Sequence, residues 1–495
     1  MKGFSDENKK YKINKNHPQP SKEEIINQAI RLHLKGNIPE AAKYYQYCIY
    51  RKFNDHRVFS NYAGILQSIG KLKEAEILLR KAIELDPENA KAHYNLGHIM
   101  FNLSELKEAE ILIRKAIELD PDNAKAHYNL GRILCDLGEL KEAEILIRKA
   151  IKLNPNFVSA YYALSLLKYS KNNQLWQTQL FSKNFLINKS PKDQIDIYFA
   201  RANILHKSKK YEESSKNLQL ANNLKLDLHP SNSELYIKKS CELLAATTKK
   251  EIIKKSNKNF SQSIFIVGMF RSGSTLVESI LSTKNDVYDL GETNILEEAF
   301  FEYKKSTHEI DLYELYFKKI SNKTNLNITT NKWLNNYQYA GVIAQQIPNA
   351  KIIHCFRNPL DNILSIYRAN FAYGNQYSSS LVDCARIYLD QDEIMCKYKK
   401  RFRSKIYDLN YDLLVSNPKK EIKSLISWLG WKWTDSYLSP HLNPRSVSTA
   451  STVQVRTPIN SKSVGGWENY KDILEPCIEI LTENDKYKNL VKQIT

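Results

Sequence analysis

With 495 residues, 42% of them hydrophobic and 26% charged, the chain has a globular balance and exceeds one ordinary core, which predicts two or more domains. No run approaches the ~18 apolar residues of a membrane span, and the polar N-terminus lacks the apolar stretch of a secretory signal, which predicts a cytoplasmic protein. A net charge of +19 favours anionic ligands or an acidic partner, and no nucleic-acid-binding motif accompanies it. Cys48, Cys135, Cys241, Cys355, Cys384, Cys396 and Cys477 show no CxxC spacing, and their odd number argues for core or surface thiols over a disulfide framework.

Residues 1–20 are polar and read as a disordered N-terminal segment. A repeat then occupies residues 21–230. KAHYNLGHIMFNLSELKEAEILIRKAIELDPDNA, starting at Lys91, recurs almost unchanged from Lys125, a period of 34 residues. Pro87, Pro121 and Pro155 keep this period, as do Ala75, Ala109 and Ala143, and Asn61, Asn95 and Asn129. Small residues at Ala63, Gly97 and Gly131 permit close helix approach, and the D-P or N-P step ends the second helix of each unit because proline lacks an N–H. Pattern and period resemble the tetratricopeptide repeat, two antiparallel helices per unit. One unit cannot bury its apolar face, so three or more must stack; degenerate copies flank the three clear ones. The resemblance implies a concave groove lined by Tyr94, His98, Tyr128, Arg132 and Asp136, its guest a peptide or protein segment.

Residues 231–260 read as a helical linker with solvated lysine clusters. From 261 to 495 short apolar runs alternate with amphipathic helices, the grammar of an α/β domain with a parallel sheet. Its first strand, SIFIVG, runs through GMFRSGSTL into the helix LVESILS. Gly268 and Gly273 stand where a P-loop has its glycines, but Ser274 replaces the lysine, which excludes an ordinary kinase or ATPase. The remaining loop suits one phosphate, held by backbone N–H groups and a helix N-terminus, with Arg271 as the added cation.

GMFRSGSTLVESIL resembles the 5′-phosphosulfate loop of sulfotransferases, especially the tyrosylprotein sulfotransferase group and its repeat-bearing bacterial relatives, with Phe270 in place of the usual proline. Further segments follow in family order. The resemblance implies that Arg271, Ser272, Gly273, Ser274 and Thr275 contact the donor 3′-phosphoadenosine 5′-phosphosulfate. Glu292 in DVYDLGET would be the catalytic base, and Lys332 in NITTNKW, with Asn331 for the usual aspartate, would neutralise the leaving oxygen. Arg357 and Ser365 in FRNPLDNILSIY would hold the 3′-phosphate, and Tyr411 and Ser451 would add donor contacts. Gly466 precedes Trp467 where the tyrosylprotein enzymes have lysine, leaving Arg456 or Lys462 to supply that charge. Trp428 and Trp431 read as core residues, and His354 as a core histidine or one that supports the site from behind.

The expected protein is thus an α-helical tetratricopeptide-repeat solenoid followed by a P-loop-like α/β sulfotransferase domain. Glu292, Lys332 and Arg271 would be catalytic, and no metal is expected. Protein tyrosine is the first acceptor, with a carbohydrate or small-molecule hydroxyl as the alternative. A non-catalytic repeat scaffold carrying a nucleotide-binding domain is the rival class. Oligomeric state stays open.

Overall fold

The computed structural model describes residues 20–167, 175–247, 261–306, 310–372, 374–443, 445, 447, 449 and 451–490. The proposed disordered segment therefore lies, but for residue 20, outside the described residues, as does the end of the linker. The chain forms two compact units, Met1–Ile133 and Leu134–Thr495.

The first unit is a stack of helix pairs. Lys22–Leu34 pairs with Ile38–Tyr50, His56–Ser68 with Leu72–Leu85, and Ala90–Asn102 with Leu106–Leu119; Ala124–Leu137 begins the next pair. The small positions work as sterics demands. Ala63, Ala75 and Ala109 are fully buried, and a Cβ on Gly97 would stand 2.7 Å from Ile113 Cδ1. Each helix of the type Leu72–Leu85 stops two residues before its proline, and the proline carbonyl gains a partner six residues on. His93 Nε2 lies 2.9 Å from Pro87 O and His127 Nε2 2.9 Å from Pro121 O, so the period also fixes a polar clip at each turn.

In the second unit, strands β1 (Gln262–Gly268), β2 (Val287–Asp289), β3 (Ile328–Asn331), β4 (Ala350–Phe356) and β5 (Ile406–Asn410) form one parallel sheet in the order β2-β3-β1-β4-β5. Alternation along β1 sends Phe265 and Val267 to one face, with Ile352 and Tyr316, and Ile264 and Ile266 to the other, with Ile353 and Leu425. Both faces are covered, as a parallel sheet requires. Trp428 and Trp431 pack at the border of the second of these cores, and His354 is buried between Asp408 and Gln391, its imidazole pushed toward the neutral form by burial.

The same unit contains later helices of the repeat region. Ile195, Phe199, Leu218 and Ala221, from Pro191–Lys207 and Tyr211–Leu228, share a core with Met269, Leu360 and Trp467. Polar contacts seal this packing: Asn222 Nδ2 donates to Tyr367 O at 3.0 Å, and His206 Nδ1 lies 2.8 Å from Tyr470 OH. The helix Ser233–Ala246 corrects the expectation of a solvated linker helix. Leu243 enters the sheet core, Ser240 Oγ donates to Asp390 at 2.7 Å, and Lys239 pairs with Glu297. Its lysines and serines alternate with the apolar residues that dock it, a mixture that composition alone reads as exposed. Among the described residues no helix is long and apolar enough to cross a membrane.

Candidate active site

Every strand delivers a residue of interest to the carboxyl edge of the sheet, where open α/β sheets bind ligands. Across that edge stand Glu292 beyond β2, Lys332 after β3, the Gly268 loop after β1, Arg357 after β4 and Tyr411 after β5.

The central loop is tight. Gly268 has φ +142 and a Cβ there would stand 2.2 Å from Cys355 O; Gly273 has φ +88 and a Cβ would meet the Tyr411 ring at 2.2 Å. Only glycine fits either place. Arg271 itself lies at φ 66, a strained position for a side-chain-bearing residue. Ser272 Oγ closes the turn by donating to Met269 O at 2.7 Å, and Ser274 and Thr275 are buried at the start of the helix Ser274–Leu281. That helix begins its own ladder at Val277 N to Gly273 O, 3.1 Å, so the N–H groups of its first turn precede the ladder. Phe270 fits in place of proline: its carbonyl accepts from Asn362 Nδ2 at 2.9 Å and its ring packs on Phe371.

On the β4–β5 side cations gather. Arg271 donates through Nε to Ser365 Oγ at 3.1 Å, through Nη1 to Ser451 Oγ at 2.5 Å and through Nη2 to Gln454 Oε1 at 2.8 Å. Burial, then the nearby Arg357 and Arg368, pull its guanidinium down to about 10. Arg357 lies over the Tyr411 ring at 4.8 Å and donates through Nη2 to Ser463 O at 2.7 Å, while Tyr411 OH lies 2.9 Å from Ser463 Oγ. Asp361 and Asp412 stand 3.6 and 3.8 Å from the Arg357 guanidinium.

On the β2–β3 side, Lys332 Nζ donates to Glu292 Oε1 at 2.5 Å; the lysine side chain is fully buried and the glutamate 37% exposed. Backbone bonds fix this pair, since Leu290 N donates to Thr330 O at 2.8 Å and Lys332 N to Gly291 O at 3.0 Å. Asn331 clips the two loops, donating to Thr293 O at 3.1 Å and accepting from Asn336 Nδ2 at 2.9 Å. A groove of about 430 Å³ opens beside Glu292, lined by Thr293, Asn294, Ile295, Glu298, Lys319, Asn322 and Lys323.

The residues that the sequence proposes for donor contact and catalysis thus lie along one edge of the sheet, in two groups around Arg271 and around Lys332. Two other expectations need correction. Arg456 does not face the donor loop: its guanidinium donates to the carbonyls of Asp136 at 2.9 Å, Arg445 at 2.6 Å and Asn443 at 2.8 Å. Asp136, assigned to the repeat groove, belongs to the second unit, where its carbonyl also accepts from Val447 N at 3.0 Å. Tyr94, His98, Tyr128 and Arg132 stay in the first unit, with Arg132 over the Phe101 ring at 4.9 Å and Asn129 Nδ2 donating to Tyr94 OH at 3.1 Å. Lys462 is exposed, next to the Ser463 that binds Arg357 and Tyr411.

Sequence reasoning missed Glu278, Arg445, Arg368, Asp361 and Asp412. The signal for Glu278 was available, as it is the single charge in the apolar helix STLVESIL. Arg445 gave none, because its partners are far away in the chain.

Residues 263–435 match the model of the Sulfotransferase family, and residues 65–104, 90–123 and 112–145 match tetratricopeptide-repeat models, so the chain carries a sulfotransferase-family domain and tetratricopeptide repeats. An uncharacterized protein of Aquifex aeolicus is 30% identical over 315 residues, which span 58% of this chain and 41% of that relative. A putative protein-tyrosine sulfotransferase of Caenorhabditis briggsae is 24% identical over 248 residues, covering 42% of this chain and 81% of the relative. Among solved structures, the sulfotransferase domain of the Synechococcus PCC 7002 olefin synthase covers 46% of this chain and 98% of its own at 16% identity, TM-score 0.35. MamA covers 41% and 97% at 21% identity, TM-score 0.27.

Proposed function

We propose that the second unit transfers a sulfuryl group from 3′-phosphoadenosine 5′-phosphosulfate to a hydroxyl acceptor. The observation that carries this reading is the row of loops at one sheet edge, with an anion cradle around Arg271 and Arg357 at one end and a buried Lys332–Glu292 pair at the other. The residues fit such a donor: Arg357 Nε is buried without a hydrogen-bond partner among the described residues, and guanidinium forks match phosphate oxygens.

When bound, the donor supplies an electrophilic sulfuryl group. Arg357, Ser365, Tyr411 and Ser451 hold and orient the nucleotide, and Arg271 with the loop amides holds the 5′-phosphate. Glu292, the exposed member of its pair, takes the proton of the acceptor hydroxyl as the oxygen attacks. Lys332 places its ammonium against the negative charge that collects on the leaving oxygen.

Protein tyrosine is the acceptor we propose, supported by the attached repeats and by the likeness to a putative protein-tyrosine sulfotransferase. The groove beside Glu292 favours a second reading, a carbohydrate hydroxyl, because its lining is polar apart from Ile295 and holds no aromatic side chain. Incubation of the full chain with a sulfur-radiolabelled donor and separate pools of tyrosine peptides, glycans and small phenols tests both. Label on peptides supports the first reading, label on glycans the second, and nucleotide binding with no label on any pool defeats transfer and favours the scaffold.

A further inference from the structure

The chemistry proposed for Glu292 poses a problem for Lys332. A carboxylate that accepts a proton becomes neutral, and a fully buried ammonium whose counter-charge disappears is held at a cost of several kcal/mol. A second carboxylate stands ready. Glu278, on the second turn of the phosphate-loop helix, is 2% exposed, and its Oε2 lies 3.8 Å from Lys332 Nζ. It is held in turn by Arg445, whose Nη2 donates to Glu278 Oε2 at 3.2 Å and to Ser279 Oγ at 3.3 Å, and which pairs with Asp289 at the end of β2. The other glutamate oxygen, Oε1, is buried with no hydrogen-bond partner among the described residues. From β4 the Cys355 thiol lies close enough to interact with the lysine's charge, and burial pushes that thiol well up.

Building on the transferase reading, we propose that Glu278 is the positioning residue of the reaction: a permanent counter-charge that keeps Lys332 aimed at the leaving oxygen while Glu292 is free to take up the acceptor proton. The placement is economical in structural terms. Glu278 rides on the helix whose N-terminus holds the 5′-phosphate, so one rigid element fixes both the phosphate and the lysine that faces it. Neither Glu292 nor Glu278 alone serves both purposes, because one carboxylate must change its charge during turnover and the other must not. Arg445 fixes where that counter-charge stands: its Nη2 holds Glu278 Oε2 by a charge-assisted hydrogen bond at 3.2 Å.

The test compares the full-length wild type with Glu278→Gln, Glu278→Asp and Lys332→Ala, using the radiolabelled donor and whichever acceptor pool takes label. The turnover number of Glu278→Gln should fall about 100-fold, the scale of a misaimed catalytic group. The KM for donor and the calorimetric affinity for adenosine 3′,5′-bisphosphate should stay near wild type, and Glu278→Asp should recover part of the loss. Combining Glu278→Gln with Lys332→Ala should cost no more than Lys332→Ala alone, because both act through one ammonium. If Glu278→Gln misfolds because Arg445 loses its buried partner, Glu278→Gln/Arg445→Gln removes both charges and should show the same loss of turnover. Wild-type turnover in that double variant or in Glu278→Gln overturns the inference alone. Full additivity with Lys332→Ala does so too. Absence of label transfer by the wild type overturns the inference together with the transferase reading.

Discussion

The two ends of the sheet's carboxyl edge solve opposite electrostatic problems. Beyond β4 and β5 the cations Arg271, Arg357 and Arg368 interact, Arg357 stands against the carboxylates Asp361 and Asp412, and the pKa of Arg271 is lowered by burial and by its two cationic neighbours. Beyond β2 and β3 the carboxylates Glu292, Glu278 and Asp289 surround Lys332 and Arg445. In the proposed reading the positive end takes the polyanionic nucleotide. In the same reading the carboxylate-rich end takes the acceptor's proton, and its carboxylates hold the buried Lys332 ammonium. In the function proposed above, this polarity would orient a donor with its phosphates on one side and its reacting group at the other.

The largest break in this contrast comes from Glu292→Ala. Turnover should fall about 1,000-fold, within the range for a lost general base, while adenosine 3′,5′-bisphosphate binds as before; retained label transfer would remove Glu292 as base and with it the division of labour. Arg357→Ala should act the other way round. Calorimetry should find nucleotide affinity reduced about 100-fold, as expected when a buried charge partner is deleted and Asp361 and Asp412 are left behind, with a smaller effect on turnover at saturating donor. Equal losses in turnover and affinity in both variants would show one undivided site.

Gly273→Ala sharpens the geometry between the two ends. Its Cβ would enter the Tyr411 ring at a positive φ, so denaturant unfolding should show a loss of about 1–3 kcal/mol, and nucleotide affinity should weaken about tenfold. The smallest effect is a control away from both ends. Burial raises the Asp390 carboxyl to about 6, above its unfolded value, although Ser240 and Tyr337 donate to it. The native state thus binds the extra proton, and this contribution to stability is present in acid and lost as pH rises from about 4 through about 6. Asp390→Asn should flatten that part of the melting-temperature profile and gain stability at pH 8 relative to wild type, with nucleotide affinity unchanged.

Legibility in the sequence followed the range of the interactions. The 34-residue period announced the helix pairs because each contact in a repeat recurs at a fixed offset, down to the small residues such as Gly97 that admit Ile113. The apolar run SIFIVG announced the first strand, and the loop from Gly268 to Gly273 carried its chemistry locally. Ser240, Leu243 and Lys239 were misread as solvated because their partners Asp390, Tyr337 and Glu297 lie 58 to 150 residues away in the chain. The same distance hid Arg445 behind Glu278 and committed Arg456 to carbonyls that no local pattern predicts.

By itself, then, the sequence determined the repeat, the parallel α/β grammar and the identity of the groups at the strand ends, since periodicity, turn chemistry and alternation act over a few residues. Only the tertiary structure decided that Lys332 faces two carboxylates, that helices after Leu134 share a body with the sheet, and that the two ends of the edge differ in charge. Those outcomes depend on which distant residues exclude water from the same space, and a linear pattern does not encode that.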